Sequence, residues 1–330
     1  MDTRLLRTFT TLARTGSFTA AAAELHLAQS TVTVHIRALE KDLRVRLFDR
    51  LPSGAVLTDT GARLLERAQH VLDAEDRLHH EAHSAAPIEG SVTIGASESL
   101  CAYRLPLAVA ALSRSLPTVD IHMRAVGTAP EAVEQLRSGR IDVSLLLESR
   151  TGIPHVETEV IGHEPLALLA APGHPWIDAE APPRHPRHPG EPGEPGEPGE
   201  LNGPDELGQL DELGELGELN EQAFFLLEEG CSYSDDFARQ LLATPGQPPR
   251  ITRFGSVEAV RACVEAGLGL ALLPVVSVAA GLDSGRLRTL RNFPDVPILM
   301  LRHRSRWTSP ATRTVMARLR RLAAEGWTDG

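Results

Sequence analysis

"GSFTAAAAELHLAQSTVTVHIRALEKDL", residues 16–43, decides the fold of the N-terminal part of the chain. Ser17, after Gly16, is a helix N-cap, and the alanine run behind it makes a short helix whose small side chains allow close packing. "HLA" at 26–28 is a turn. The next helix carries Val32, Ile36, Leu39 and Leu43 on one face, with Ser30, Thr31, Thr33, Val34 and Arg37 on the others. One buried stripe beside a free, hydroxyl-rich N-terminal surface is the pattern of a helix-turn-helix whose second helix can enter a major groove.

Working outward, Leu5, Leu6, Phe9, Leu12 and Ala13 recur at helical spacing, giving a first helix that Gly16 can end. "RLFDRLPSGAVLT" (46–58) places two apolar runs around a Pro/Gly turn, which predicts a small wing. Thr58 can cap a long helix running to Pro87, with a narrow apolar stripe of Leu64, Leu65, Ala68, Val71, Leu72 and Leu78. A long helix so thinly apolar usually pairs with a copy of itself.

From Ile88 the grammar changes to alternating strands and helices, a βαβαβ progression through "SVTIGAS", "LPLAVAALSRSL", "TVDIHMRAV", "APEAVEQLRSG" and "RIDVSLLL". It continues through "PLALLAA", "AFFLLEE", helices near 234–242 and 256–266, "RITRFG", "GLALLP", "PILMLRH" and a last helix at "PATRTVMARLRRLAA". Two α/β lobes, with loops pointing into a shared cleft, are expected.

Charge distribution matters more than its total. Residues 178–221 hold thirteen carboxylates against two arginines, a net −11 that equals the net charge of the whole 330-residue chain. Residues 1–58, with eight bases and five acids, carry +3. Once the acidic run is set aside, a basic head becomes visible. Inside that run, "PGEPGEPGEPGE" (189–200) repeats Gly-Glu-Pro as collagen does, but about four triplets cannot build a triple helix. The expectation is a disordered acidic insert in a surface loop, about 178–220.

Three scattered cysteines give neither a disulfide framework nor a zinc site, and "HH" at 79–80 and "RHPRH" at 184–188 lack ligand spacing. No catalytic motif and no apolar run long enough to span a bilayer stand out, and the Arg- and Thr-dotted first residues lead to the expectation of no signal peptide. No metal, no cofactor, no enzyme activity and a cytoplasmic location are expected.

Phe9, "GSFT" (16–19), "AAAEL" (21–25), Gln29-Ser30, "IRALE" (36–40), "LFDR" (47–50) and the "LT…G" ending at Gly61 stand in one order over about sixty residues. This stretch resembles the N-terminal domain of the LysR-type transcriptional regulators. "GSVTIGAS", "SGRIDVSLL", "APGHP", "LEEGCSY" and "CVEAGLGLALLP" resemble successive landmarks of that family's effector domain. The resemblance implies an α/β chain with an N-terminal winged helix-turn-helix (1–58), a dimerising linker helix (59–87) and a bilobal, periplasmic-binding-protein-like effector domain (88–330). By that likeness lobe I is 90–163 with 270–330, and lobe II is 164–269. Ala28 and Val34 depart from the family's common Ser or Thr and Arg, and Ser234 stands where relatives with "GCSY" often carry Arg.

For DNA, Gln29, Ser30, Thr31, Thr33 and Arg37 offer donors and acceptors near a positive helix end, and Val34 offers an apolar contact. Ser17, Thr19, Arg46, Arg50 and Ser53 are the expected backbone contacts. For an effector, the strand-end loops supply Ser97, Glu98, Ser99 and Cys101, Gly127 and Thr128, and Cys231, Ser232 and Tyr233. The expected partners are double-stranded DNA read as an interrupted inverted repeat by a homodimer, and a small-molecule effector. Pairing into a homotetramer is implied by the resemblance, RNA polymerase is a further expected partner, and no membrane is. The alternative is a small-molecule binding module without specific DNA binding, which predicts no salt-dependent DNA affinity.

Overall fold

The computed structural model describes residues 2–51, 54–82, 88–178, 222–243 and 248–327. Ser53, Pro87 and all of the acidic insert beyond Asp178 lie outside the described residues.

The head begins with α1 (Thr3–Thr15), α2 (Phe18–Glu24) and α3 (Gln29–Leu43). Gly16, at φ 65°, closes α1 by donating its N–H to Leu12, and Ser17 then caps α2. Leu6, Phe9, Leu12, Ala21, Val32, Ile36 and Leu39 are fully buried together. Leu43 is not with them: Arg44 turns the chain at φ 56° and leaves Leu43 36% exposed. The wing is the antiparallel pair β1 (Phe48–Leu51) and β2 (Gly54–Leu57). It is fastened at both ends. Glu40 accepts the Leu47 N–H at 2.8 Å, the Ala55 N–H reaches Gly16 O at 2.8 Å, and Phe48 meets Phe9 edge-on.

α4 (Asp59–Ala82) is capped by Thr58, whose Oγ1 accepts from the Gly61 N–H at 3.0 Å. Its apolar stripe is divided. Leu65, Ala68 and Leu72 are buried against the head's own core, while Val71 and Leu78 are 40% and 68% exposed. Further along, buried Asp73 accepts from the Trp307 N–H at 3.3 Å and faces Arg306, so α4 also rests on the C-terminal domain.

That domain follows as β3 (Gly90–Ala96), α5 (Glu98–Tyr103), α6 (Leu105–Ser115), β4 (Val119–Ala125), α7 (Ala129–Arg137), β5 (Val143–Leu147), β6 (Val156–Ala170) and α8 (Pro175–Asp178). Beyond the insert come β7 (Ala223–Leu227), α9 (Ser232–Ala243), β8 (Arg250–Phe254), α10 (Val257–Glu265), β9 (Ala271–Pro274), α11 (Val275–Asp283), β10 (Arg288–His303) and α12 (Pro310–Ala324). The six-stranded sheet has the order β4-β3-β5-β10-β6-β9, and β7-β8 form a parallel pair beside it. β3 lies between β4 and β5, both parallel to it, as a βαβαβ unit requires.

β6 and β10 are longer than the sequence predicts. "PLALLAA" and "PILMLRH" are only their apolar halves; the other halves, "VETEVIGH" and "RTLRNF", are polar and half-exposed, and each is held by the apolar half of the opposite strand. The long pair corrects the expected lobe boundary. β9 bonds the Leu166–Leu169 stretch of β6, and the Arg288–Val296 stretch of β10 bonds Ala170–Glu164, so 270–296 stays with lobe II. β10 reaches the lobe I strands only from Ile298, where it begins to pair with β5 while still bonded to β6. α11, which Pro274 at φ −61° starts, is absent from the sequence reading.

Candidate functional sites

α3 presents its first turn outward. Its cap position is Ala28, which has no side-chain acceptor, so the leading N–H groups are left without a side-chain cap. Gln29, Ser30 and Arg37 are exposed, Thr31 and Thr33 are half-buried, and Val34 stands 60% exposed among them. A helix end rich in free N–H groups and hydroxyls suits phosphate, and an exposed Val suits a thymine methyl. Thr19 and Arg46 are exposed on the flanks, and Arg50 lies in β1 opposite Ala55. Ser17 is half-buried and its hydroxyl is the α2 cap. His35 is tied inward to Thr8 Oγ1 at 2.9 Å, joining α3 to α1.

The second site lies where strands end in loops. A cavity of about 100 Å³ is lined by Ser97, Glu98, Ser99, Gly127 and Thr128 from one lobe and by Cys231 and Tyr233 from the other. Glu148, Glu228 and Glu229 line it too. Sequence reasoning missed these three, though each follows a strand, the position that nominated the others.

Two expected residues are elsewhere. Cys101 turns from the cavity, its Sγ 3.5 Å from Ala96 O, because α5 carries it beneath the end of β3 rather than towards Cys231. Ser232 is a lobe-to-lobe tie, accepting from the Ser149 N–H at 3.1 Å. Ser149 Oγ in turn donates to Asp236 at 2.9 Å.

Glu98 crosses the cleft. Its carboxylate accepts from Ser256 Oγ at 3.1 Å and from the Val257 N–H at 2.9 Å, so it caps α10 in place of the Ser256 hydroxyl. Charge-assisted bonds at a helix N-terminus are among the stronger polar contacts. Tyr103 donates to Glu258 on the same helix. Near the crossing strand, Arg104 grips Glu164 through two bonds at 2.9 and 3.0 Å. The chain's own side chains therefore tie the two sides of the cleft together beside the cavity.

Burial pushes the Cys231 thiol up to about 12, and burial followed by Glu98 raises Cys101. Burial also lifts Tyr233 well above its usual value. Neither cleft-side thiol has the electropositive surroundings of a reactive cysteine. Iodoacetamide at pH 8 is expected to alkylate Cys231 in the folded protein about a thousandfold more slowly than in the urea-unfolded chain, since the thiolate fraction falls tenfold per unit. Equal rates on peptide mapping would contradict the buried, neutral thiol.

Comparison with known proteins agrees with this architecture. Residues 3–62 match the family described as bacterial regulatory helix-turn-helix protein, lysR family, and residues 85–189 and 203–324 match the LysR substrate binding domain. The unmatched stretch between them falls on the Gly-Glu-Pro triplets. The regulator CfxR of Cupriavidus necator is 30% identical over 98% of this chain and 92% of its own, and YwqM of Bacillus subtilis is 27% identical over 94% and 95%. A full-length OxyR variant from Pseudomonas aeruginosa shares the fold at a TM-score of 0.72, with 23% identity over 98% of this chain and 95% of that one. CbnR, solved with its target DNA, shares it at 0.53, with 24% identity over 97% and 99%. With both halves of the chain matched, the protein belongs to the lysR family of bacterial helix-turn-helix regulators and is a DNA-binding transcriptional regulator with an effector-binding domain.

Proposed function

We propose that α3 reads the major groove with Gln29, Ser30, Thr31, Thr33, Val34 and Arg37, while Ser17, Thr19, Arg46, Arg50 and Ser53 position the head on the phosphates. The observation that carries this is the outward first turn of α3, uncapped by any side chain and bearing exposed Gln29, Ser30 and Arg37. Two chains paired through α4, where Val71 and Leu78 stand exposed, address the half-sites of an interrupted inverted repeat. A small molecule in the cleft between the lobes modulates transcription, the assembly extends to a tetramer, and RNA polymerase is the downstream partner. The protein works in the cytoplasm and catalyses no reaction.

A mobility-shift assay with the chain's own upstream DNA, at two salt concentrations and against unrelated competitor, tests the reading. Arg46→Ala is expected to weaken binding to all sequences and lower the salt slope by about one, as loss of a phosphate contact does. Gln29→Ala is expected to cost about 1–3 kcal/mol on the specific site alone. A wild-type chain that binds competitor as well as its own promoter would defeat the proposal.

A further inference from the structure

α4 carries two stripes. Leu65, Ala68 and Leu72 belong to the head's core, while Glu66, Gln69, His70 and Asp73, at i, i+3, i+4 and i+7, share the side that meets lobe I. Opposite them stands the turn between β10 and α12, with His303, Ser305, Arg306 and Trp307. Asp73 accepts from the Trp307 N–H and from Gln69 Nε2, both at 3.3 Å, and lies 3.5 Å from Arg306 Nε. Arg306 also donates to Leu136 O, near the end of α7, at 3.3 Å. Ser305 Oγ stands between the two histidines, 3.5 Å from His70 Nε2 and 3.4 Å from His303 Nδ1. A joint made of polar side chains is the kind that parts and re-forms, as an apolar core does not.

The joint is also imperfectly satisfied. Arg306 Nε is buried and makes no hydrogen bond, and each contact of Asp73 is longer than the usual range. Close by, burial and then the like charges of Arg124 and Arg140 in lobe I lower Arg14 of α1, so repulsion already opposes closure. His303 is 7% exposed, and burial followed by Arg306 lowers it below the ordinary histidine value. Of the other charges facing it, Glu66 and Asp73 favour its proton and His70 disfavours it. Asp142, raised by burial, accepts from the Thr93 N–H at 2.9 Å; both belong to lobe I, so that bond persists whether or not α4 is in place. His303 is therefore the group whose proton the closed joint resists.

We infer that the joint between α4 and lobe I is released by acid: a proton on His303 is better solvated once α4 moves away, so low pH frees the helix that carries the reading head. Linkage sets the direction. A histidine lowered in the closed joint and ordinary in the open one leaves the joint at full strength above about pH 6.5. Below that the hold weakens by up to about tenfold per unit, until the closed-joint value is reached. Histidine is the side chain whose charge changes in this range, and its protonation at an interface is a known kind of switch. α4 moves with the head because Leu65, Ala68 and Leu72 are part of the head's core.

Hydrogen exchange of the full-length protein between pH 7.5 and 5.5, corrected for the intrinsic pH dependence of exchange, tests this on the peptide that holds Trp307. The Trp307 amide is expected to lose protection severalfold on acidification, while the buried α3 amides around Val32 and Ile36 keep theirs. His303→Gln, polar but not titratable, should reduce the change to less than about twofold. Glu66→Gln, which removes an anion that favours the proton, should enlarge it, and His70→Gln should leave it in place. No loss of protection in the wild type, or the same loss in His303→Gln, would overturn the inference. A response abolished by His70→Gln would put the proton on the other histidine and overturn it too. Parallel loss in α3 would show acid unfolding of the head in place of release at the joint. Should His303→Gln fail to fold, judged by far-UV circular dichroism at pH 7.5, Glu66→Gln decides, and an unchanged response there counts against the inference.

Discussion

Arg104→Met is expected to destabilise the effector domain by about 3–5 kcal/mol, the largest loss from any single side chain discussed above. Glu164 is fully buried, and both of its oxygens are occupied by the Arg104 guanidinium. Removing the base strands a carboxylate where water cannot reach it. The intact pair itself stabilises little, because desolvation of two ions offsets their attraction. The double variant Arg104→Met/Glu164→Leu should therefore recover most of the loss. Urea unfolding followed by far-UV circular dichroism gives both numbers; a single variant within about 1 kcal/mol of wild type would show that the Glu164 site is wetter than its burial implies. Glu164 pairs with Val296 on the crossing strands, so the same substitution loosens the joint between the lobes.

Gly54→Ala is expected to cost about 3 kcal/mol and to abolish specific DNA binding while leaving the cleft's ligand affinity unchanged. Two effects combine. Gly54 sits at φ 139°, a conformation essentially closed to side chains, at a cost of about 1–3 kcal/mol. A β-carbon there would also press into the backbone carbonyl of Gly16, which is fixed by its bond to the Ala55 N–H, and overpacking adds about 1–3 kcal/mol. The wing would lift from the turn that ends α1. Wild-type melting together with full promoter affinity in the alanine variant would show that the wing tip can shift freely.

The head could be read from sequence because its information is local: helical periodicity, Gly16 and Ser17 at one junction and Thr58 at another all act within a few residues. Strand-end loops are legible for the same reason, and Ser97, Ser99, Thr128 and Tyr233 from them line the cavity. What escaped was non-local. The polar halves of β6 and β10 form strands because the apolar half of the other strand, more than a hundred residues away, supplies their hydrogen bonds. Glu98 is separated from Val257 by 159 positions, and no pattern in either segment announces the bond. The divided stripe of α4 illustrates a third limit: periodicity identifies apolar residues but does not say whether they face the chain's own head or a second copy.

The carboxylate cap on α10 bears on dose. A cleft that can close on its own glutamate has a resident competitor, so the ligand-free regulator is held in a defined shape. Apparent affinity for any effector that requires the lobes to part is reduced by the fraction of molecules already latched. Each tenfold change in that latch equilibrium, about 1.4 kcal/mol, moves the responding concentration tenfold without touching a ligand contact. Under the role proposed for the cleft, Glu98 is a set-point: substitutions there are expected to shift the concentration at which a promoter responds.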